Sequence, residues 1–361
     1  MKTLLFTLEY PPFYGGVANY YGNLVKYWPK RDNISVLNNN NGLLINRTWP
    51  VLKWLSAIPR LREAIKKGRI DHIIVGHILP LGLAALLCRQ LYPIKYSVIL
   101  HGLDFSHVTQ IWRKRIISKI ILIKADKIIC ANSYTAELVK SFLGGKVDGK
   151  IKIVNPGAEQ LATRNSQLAT QLEKKYHLNN KIILLSVGRL VKRKGFDQVI
   201  EALPEVLKQA PNLIYVIIGD GEELRNYQLN ITNYELSDKI IIINKAADGE
   251  RDAWYNLCDI FIMPAKNING DFEGFGIVYL EANLAGKPVI ASLSGGVGDA
   301  VIDDLNGLIV DPLDLNEIAR TVIKLAQDTN LRRRLGEQGR ERAIRKFNWP
   351  GQVEKIYKII M

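Results

Sequence analysis

Short apolar runs alternate with amphipathic segments along the first 155 residues, a pattern that predicts strands alternating with helices. The apolar runs predict strands at 2–7, 72–75, 97–100, 127–131 and 151–154. Between them, apolar residues at helical spacing predict helices at 17–27, 79–91, 111–124 and 133–142. Repeated β-α-β units of this kind indicate a parallel sheet with helices on both faces.

A second alternation begins after a polar stretch at about 158–175, which we interpret as a linker. Strands are predicted at 182–187, 213–218, 240–243, 260–263, 289–291 and 308–310, and helices at 196–208, 252–257 and 277–285. The sequence therefore predicts an α/β protein with two Rossmann-like domains, at 1–165 and 166–345, followed by a helix at 346–361.

The net charge of +14 is confined to the first half of the chain. Residues 1–160 hold 23 Lys+Arg and 9 Asp+Glu, a balance of 23 − 9 = +14, and the remaining residues hold 26 of each. This split predicts that the first domain faces a polyanionic surface or acceptor.

The three cysteines are distant from one another and lie in apolar runs, which favours buried thiols in a reducing compartment.

Neither a signal peptide nor a membrane span is predicted, because no basic start precedes a hydrophobic core and no apolar run approaches about 18 residues. We therefore expect a cytoplasmic protein that touches the inner face of the membrane peripherally. No metal-ligand spacing of His or Cys is present, so no metal cofactor is expected.

Two acidic residues, Glu273 and Glu281, stand eight positions apart around a Gly-rich turn between the strand at 260–263 and the helix at 277–285. A turn that opens a helix binds anions through its free backbone N–H groups. Glu273 on the turn is suited to accept hydrogen bonds from sugar hydroxyls, and Glu281, one helical turn later, from a ribose. The segment thus predicts a nucleotide-sugar site.

The arrangement Glu273-Gly-Phe-Gly-Ile-Val-Tyr-Leu-Glu281-Ala resembles the signature of retaining GT-B glycosyltransferases of family 4. Three other segments resemble the same family in its order: Pro-Pro-x-x-Gly15-Gly16, His101-Gly-x-Asp104 and Gly188-Arg189-Leu-x-x-x-Lys194-Gly195. Within the family, the chain resembles bacterial lipid-acceptor mannosyltransferases such as the phosphatidylinositol mannosyltransferases.

The resemblance implies two domains that face each other across a cleft, with the final helix crossing back to the first, and a hexosyl transfer in cell-envelope glycoconjugate synthesis. The resemblance also implies a GDP- or UDP-linked sugar as the donor and a lipid-linked molecule or a saccharide as the acceptor. The implied catalytic residues are His101, Glu273, Arg189 and Lys194. The implied donor-binding positions are Gly15, Gly16, Gly219, Phe275, Gly276, Ile277, Val278 and Glu281.

Arg189 and Lys194 follow a predicted strand, where open α/β sheets bind ligands. Together they are suited to neutralise a diphosphate leaving group without a metal. We interpret their neighbours Lys192 and Arg193 as solvated loop charges. The roles of Asp104 and Asp299 stay open, and Gly219 is equally well explained by a plain turn.

Two basic segments with tryptophans are candidates for an anionic membrane surface. Residues 111–124 place Trp112, Ile116 and Ile120 on one stripe, with Arg113, Lys114 and Arg115 beside it. Residues 49–69 carry Trp49 and Trp54 among six cations. The alternative for each is a helix whose apolar stripe packs on its own sheet.

Three other functions compete with glycosyl transfer. A nucleotide-sugar 2-epimerase would need additional carboxylates and histidines in the first domain. A dinucleotide-binding protein would show Gly-x-Gly-x-x-Gly on the first βα turn, where this chain has Gly15-Gly16. A nucleic-acid or membrane-binding module would not explain the phosphate and sugar motifs of the neutral half, and we expect no nucleic-acid partner.

Overall fold

The computed structural model describes residues 1–13, 15–45, 53–145, 147–159 and 166–361. It contains two compact units, one of residues 1–157 with 349–361 and one of residues 158–348. The interpretation of 158–175 as a linker is wrong, because residues 158 onward belong to the second unit and 166–175 form a helix. Leu172 of that helix is buried in the second core, an apolar contact that the polar composition concealed.

The first unit has a six-stranded parallel sheet in the order β2-β1-β3-β4-β5-β6. Its strands are β1 (Thr3–Phe6), β2 (Ile34–Leu37), β3 (His72–Val75), β4 (Lys95–Leu100), β5 (Lys127–Cys130) and β6 (Ile151–Ile153). Its helices are α1 (Gly16–Lys26), α2 (Ala57–Gly68), α3 (Leu81–Leu91), α4 (Leu103–Thr109), α5 (Trp112–Lys124) and α6 (Ser133–Leu143). The α6 helix begins where predicted, because the Asn132 side chain accepts a hydrogen bond from the Thr135 N–H at 2.7 Å.

The second unit has a second six-stranded parallel sheet, in the order β12-β11-β10-β7-β8-β9. Its strands are β7 (Ile182–Val187), β8 (Leu213–Ile218), β9 (Ile240–Ile243), β10 (Ile260–Met263), β11 (Val289–Ala291) and β12 (Gly307–Ile309). Its helices are α7 (Ser166–Lys175), α8 (Phe196–Gln209), α9 (Leu224–Asn233), α10 (Asp248–Leu257), α11 (Ile277–Leu284), α12 (Val297–Ala300), α13 (Leu315–Gln327) and α14 (Thr329–Lys346). The two sheets confirm the predicted parallel α/β architecture.

The last helix, α15 (Trp349–Ile360), packs on the first unit. Trp349, Val353 and Ile356 are buried in one cluster with apolar residues of the central strands β1, β3, β4 and β5. The Gly157 position leaves no space for a side chain, because an added Cβ would lie 2.6 Å from the Trp349 indole. Burial of this apolar stripe holds the end of the chain against the first sheet.

Each sheet has one point at which consecutive strands along the chain stop being added to one edge of the sheet and continue on the other. In the first sheet this point lies between β1 and β3, and in the second it lies between β7 and β10. Open parallel sheets bind ligands outside the carboxyl ends of the strands at this topological switch point. The loops that follow these four strands are therefore where functional side chains are expected.

Candidate active site

The loops after β7, β8 and β10 approach one another closely at the switch point of the second sheet. Gly195 has φ 72°, and a Cβ there would overlap the Pro264 carbonyl oxygen. A Cβ at Gly219 would overlap the Gly188 carbonyl oxygen in the same way. Backbone packing thus accounts for Gly219, and a contact with the nucleotide base is not needed to explain it.

Four charged residues of these loops form what we call the charge cluster: Arg193, Lys194, Asp271 and Glu273. The Glu273 Oε2 atom accepts hydrogen bonds from Arg193 Nη1 and from Lys194 Nζ, the latter at 2.8 Å. The Arg193 Nε atom also lies 3.2 Å from Asp271 Oδ1. The side chains of Arg193, Lys194 and Glu273 are all at most 10% exposed.

The interpretation of Arg193 as a solvated loop charge is wrong. Residues Lys192–Lys194 form a short 3₁₀ turn that leaves Lys192 exposed and buries Arg193 and Lys194. The turn is anchored because the Lys266 N–H donates to the Arg193 carbonyl oxygen at 2.6 Å and the Lys266 Nζ atom donates to Asp197 at 2.6 Å. Arg193 therefore holds the Glu273 carboxylate in place.

The ionisation of Glu273 is fixed by two opposing effects. Burial raises the pKa of its carboxyl, but the charges and hydrogen bonds of Lys194 and Arg193 outweigh burial and lower the pKa overall. Burial lowers the pKa of Lys194, and Glu273 opposes that shift. Glu273 is thus a carboxylate at neutral pH. Its Oε1 atom has no hydrogen bond to the described residues and can accept one from a ligand.

The two predicted diphosphate-binding cations, Arg189 and Lys194, lie in different environments. Lys194 Nζ is buried between Glu273 and the Met263 sulfur at 3.4 Å. Arg189 is exposed, and its guanidinium has no ion pair with the part of the chain that the structure describes. Its charge still lowers the pKa of Lys194, after the larger effects of burial and Arg193, so the two cations are near each other.

The α11 helix carries the rest of the Glu motif. Gly276 precedes it with φ 76°, and a Cβ there would overlap the Tyr279 ring, so the sharp turn requires glycine. Ile277 and Val278 begin the helix, where the first N–H groups have no acceptor within a helix. The Phe275 side chain packs on Phe347 with ring centroids 5.7 Å apart, so a ligand would meet Phe275 through its backbone.

Glu281 lies farther along α11 and is held by a neighbouring helix. Its Oε2 atom accepts a hydrogen bond from the Tyr255 hydroxyl at 2.7 Å. Burial raises the pKa of Tyr255 well above its usual range, and Glu281 adds to that shift. The phenol stays protonated and donates to Glu281, which fixes the carboxylate.

The Gly-rich segment after β11 supports the Glu273 loop. The Gly296 N–H donates to the Glu273 carbonyl oxygen at 3.0 Å, and Gly295 has φ 58° at a close approach to the same carbonyl. Asp299 lies in α12, where its carbonyl oxygen accepts from Arg342 Nη2 at 2.8 Å. This contact involves the backbone of Asp299 and leaves the role of its side chain open.

In the first unit, His101 lies at the carboxyl end of β4, as predicted. The Tyr21 hydroxyl donates to the Gly76 carbonyl oxygen at 2.8 Å, so the His101 Nε2 atom, 3.0 Å from that hydroxyl, carries the hydrogen. Burial lowers the pKa of His101, which leaves a neutral ring whose Nδ1 is an acceptor. The Asp104 Oδ1 atom accepts from the His101 and Gly102 N–H groups at 3.0 and 2.9 Å, so Asp104 holds this turn.

The Gly15-Gly16 turn is not required by packing. A Cβ at Gly16 would have no neighbour within 4 Å, and one at Gly15 would make ordinary contacts. Two polar side chains near this turn were not predicted as site residues from the sequence. Glu9 follows β1 and His77 follows β3, and Glu9 Oε1 lies 3.7 Å from His77 Nε2.

The α5 helix presents its apolar stripe to solvent. Trp112, Ile116 and Ile120 are 67%, 52% and 47% exposed. The buried face of α5 consists of Ser118, Ile121 and Leu122, and the helix packs against α3, α4 and α6. The alternative in which the stripe packs on its own sheet is therefore excluded for α5. Arg113, Lys114 and Arg115 are exposed beside it. The other tryptophan segment includes Trp49, which lies outside the described residues.

Two protein-family models match this chain, one over each of the two units. A family model described as glycosyl transferases group 1 matches residues 169–342, and one described as glycosyltransferase family 4 matches residues 14–159. The solved structure of Anabaena HepE in complex with UDP superposes with a TM-score of 0.81 at 19% identity, over 100% of this chain and 99% of that one. The chain has a glycosyltransferase family 4 domain, a glycosyl transferases group 1 domain and the GT-B fold.

Two relatives with named activities are similar to this chain. A GDP-mannose-dependent alpha-(1-6)-phosphatidylinositol monomannoside mannosyltransferase of Mycobacterium tuberculosis is 26% identical over 98% of this chain and 97% of its own length. The capsular polysaccharide biosynthesis glycosyltransferase CapM of Staphylococcus aureus is 30% identical over 53% of this chain and 50% of its own.

Proposed function

We propose that this glycosyltransferase moves a mannosyl group from GDP-mannose to a lipid-linked acceptor, with retention of the anomeric configuration. The observation that carries the proposal is the charge cluster at the switch point of the second sheet. Its Glu273 carboxylate is ionised, held by two cations through one oxygen and open to a sugar hydroxyl through the other. The full-length similarity to a GDP-mannose-dependent enzyme favours the mannosyl donor.

The diphosphate of the donor would bind at the start of α11 with Arg189 and Lys194. The four residues of the charge cluster carry two positive and two negative charges, so the cluster itself is neutral. Additional positive charge comes from the exposed Arg189 guanidinium, and the first N–H groups of α11 add the positive end of the helix dipole. Glu281 would hold the ribose and His101 the donor sugar, as the resemblance implies.

In the retaining mechanism of this family, the acceptor hydroxyl attacks the face that the nucleotide leaves, and the leaving phosphate takes its proton. The bond from the sugar carbon to the phosphate oxygen breaks as the bond to the acceptor oxygen forms. Stabilisation of the developing phosphate charge by Arg189, Lys194 and the α11 N–H groups would be the main catalytic effect. These groups would act without a metal, so turnover should survive EDTA. Loss of turnover that magnesium or manganese restores would contradict this part of the proposal.

The acceptor would be reached at an anionic membrane surface through α5. Its exposed Trp112, Ile116 and Ile120 lie beside three exposed cations, an arrangement suited to the interface of anionic bilayers. Each Lys or Arg near such a surface contributes about 1 kcal/mol. None of the helices in the described ranges is long and apolar enough to cross a membrane. Charge reversal at Arg113, Lys114 and Arg115 should release the protein from phosphatidylglycerol vesicles at low salt, whereas unchanged co-sedimentation would refute the membrane contact.

The decisive experiment is a donor panel with a matched acceptor panel. GDP-mannose, GDP-glucose, UDP-glucose and UDP-N-acetylglucosamine are each incubated with phosphatidylinositol, phosphatidylinositol mannoside or a capsular oligosaccharide. We expect transfer from GDP-mannose to an inositol lipid. Transfer from a UDP-sugar to the oligosaccharide would instead support the second candidate, a polysaccharide glycosyltransferase like CapM. Epimer formed from UDP-N-acetylglucosamine alone would identify an epimerase.

A further inference from the structure

The first sheet has its own topological switch point, between β1 and β3, and two polar side chains follow these strands there. The strands pair in parallel, with Phe6 opposite Val75 at their carboxyl ends. Glu9 lies three residues after the end of β1, and His77 lies two residues after the end of β3. Ligands bind at this position in open parallel sheets. Neither residue belongs to a motif that assigned the donor site.

The local hydrogen bonds fix which nitrogen of His77 carries the hydrogen. The Leu8 N–H donates to His77 Nδ1 at 3.3 Å, so Nδ1 is an acceptor and the hydrogen is on Nε2. That Nε2–H faces Glu9 Oε1 at 3.7 Å, a separation longer than a direct hydrogen bond. The Thr7 hydroxyl donates to the Glu9 carbonyl oxygen at 3.0 Å and braces the turn. A fixed donor, His77 Nε2–H, therefore stands beside the Glu9 carboxylate, whose backbone is braced by Thr7.

Both side chains are accessible and carry complementary hydrogen-bonding groups. The Glu9 and His77 side chains are 33% and 14% exposed. His77 lowers the pKa of Glu9 more than burial raises it, so Glu9 is a carboxylate at neutral pH. A carboxylate repels phosphate, whereas a hydroxyl donates to Glu9 and accepts from His77 Nε2–H. The chemistry selects a neutral polyol over an anion.

The pair adjoins the residues that the family resemblance places at the donor sugar. Tyr21 contacts both histidines, with ring centroids 6.4 Å from His77 and 5.4 Å from His101. The charge of Glu9 acts on His101, and a Cβ at Gly15 would lie 3.6 Å from Glu9 Oε2. A group bound by Glu9 and His77 would thus lie in the neighbourhood of His101.

We propose that Glu9 and His77 together bind a ring hydroxyl of the acceptor, an inositol or a hexose. The proposal rests on the proposed function for its identification of the bound polyol as the acceptor. Both residues position the acceptor through hydrogen bonds, and neither is assigned a proton-transfer step.

The test measures polyol binding directly, by saturation-transfer NMR with myo-inositol and with methyl α-mannopyranoside on the full-length protein. We expect saturable binding of at least one of them to the wild type. Glu9→Gln and His77→Gln should each weaken it about tenfold or more, because each removes one hydrogen bond, charge-assisted for Glu9. Glu9→Asp, a milder change, should bind with intermediate affinity. Glu137→Gln is the matched control, because Glu137 is an exposed carboxylate of the same unit paired with Lys140.

Titration of GDP by calorimetry on the same samples separates the two claims. GDP affinity should be alike in the wild type and both Gln variants, while polyol affinity falls. The inference is overturned if neither polyol binds the wild type, if the Gln variants bind polyol like Glu137→Gln, or if GDP affinity falls in parallel. Failure of the wild type to bind GDP would count against the proposed donor and would leave the polyol result standing.

Discussion

Replacement of Glu273 by Gln removes the negative charge that two buried cations share. The Arg193 and Lys194 side chains are 7% and 9% exposed, and the remaining carboxylate of the cluster, Asp271, is 49% exposed and contacts Arg193 alone. Removing one partner of a buried ion pair costs about 3–5 kcal/mol, because the other charge stays buried without compensation. We expect Glu273→Gln to lower the free energy of unfolding of the second unit by about that amount.

Urea denaturation followed by far-UV circular dichroism measures this loss. With a denaturant dependence of about 1–3 kcal/mol per molar urea, the midpoint of the second unit should fall by about 1 M or more. Asp271→Asn is the matched control, because it removes a half-exposed partner of the same Arg193, a contact expected to contribute about 0–1 kcal/mol. Equal midpoints for the two variants would refute the reasoning that the buried cations depend on Glu273.

Three further predictions concern the same site. Folding lowers the pKa of Glu273. The Glu273 carboxylate therefore stabilises the folded protein in full at pH values above its pKa in the unfolded chain, about 4.3. The contribution is lost as the pH falls through the lowered pKa, so with increasing acidity the wild-type urea midpoint should approach that of Glu273→Gln, and a constant gap would contradict this. Arg189→Ala should lower kcat/KM by about 10²-fold with an unchanged melting temperature, since Arg189 is exposed and acts on developing phosphate charge; near-normal turnover would remove its assignment. Glu281→Ala should chiefly weaken GDP binding, whereas Glu273→Ala should chiefly lower kcat. Equal effects of the two substitutions on GDP affinity would contradict these separate roles.

Much of the fold could be predicted because parallel strands covered on both faces are continuous apolar runs. All six residues of β8 are buried, and its predicted bounds match those in the structure. The missed elements lack that signature. The edge strand β2 has no fully buried residue, and α9 buries two residues, Tyr227 and Ile231.

The positions of the candidate residues could be predicted where a polar residue follows an apolar strand within a recognisable motif, as for His101 and Glu273. Arg193 was missed because it stands between two other cations, and the 3₁₀ turn that decides which of the three is buried depends on tertiary contacts such as Lys266. Glu9 and His77 also follow apolar strands. Their pairing depends on β1 and β3 being neighbours at the switch point, which the order of strands along the chain does not reveal.

A crystal structure of the glycosyltransferase with GDP-mannose would test the central claim most directly. The account predicts the diphosphate at the start of α11 within hydrogen-bonding distance of Arg189 and Lys194, and a mannose hydroxyl on Glu273 Oε1 while Oε2 keeps its contact with Arg193. A donor bound with its diphosphate away from α11, or with Glu273 still untouched by the sugar, would contradict it.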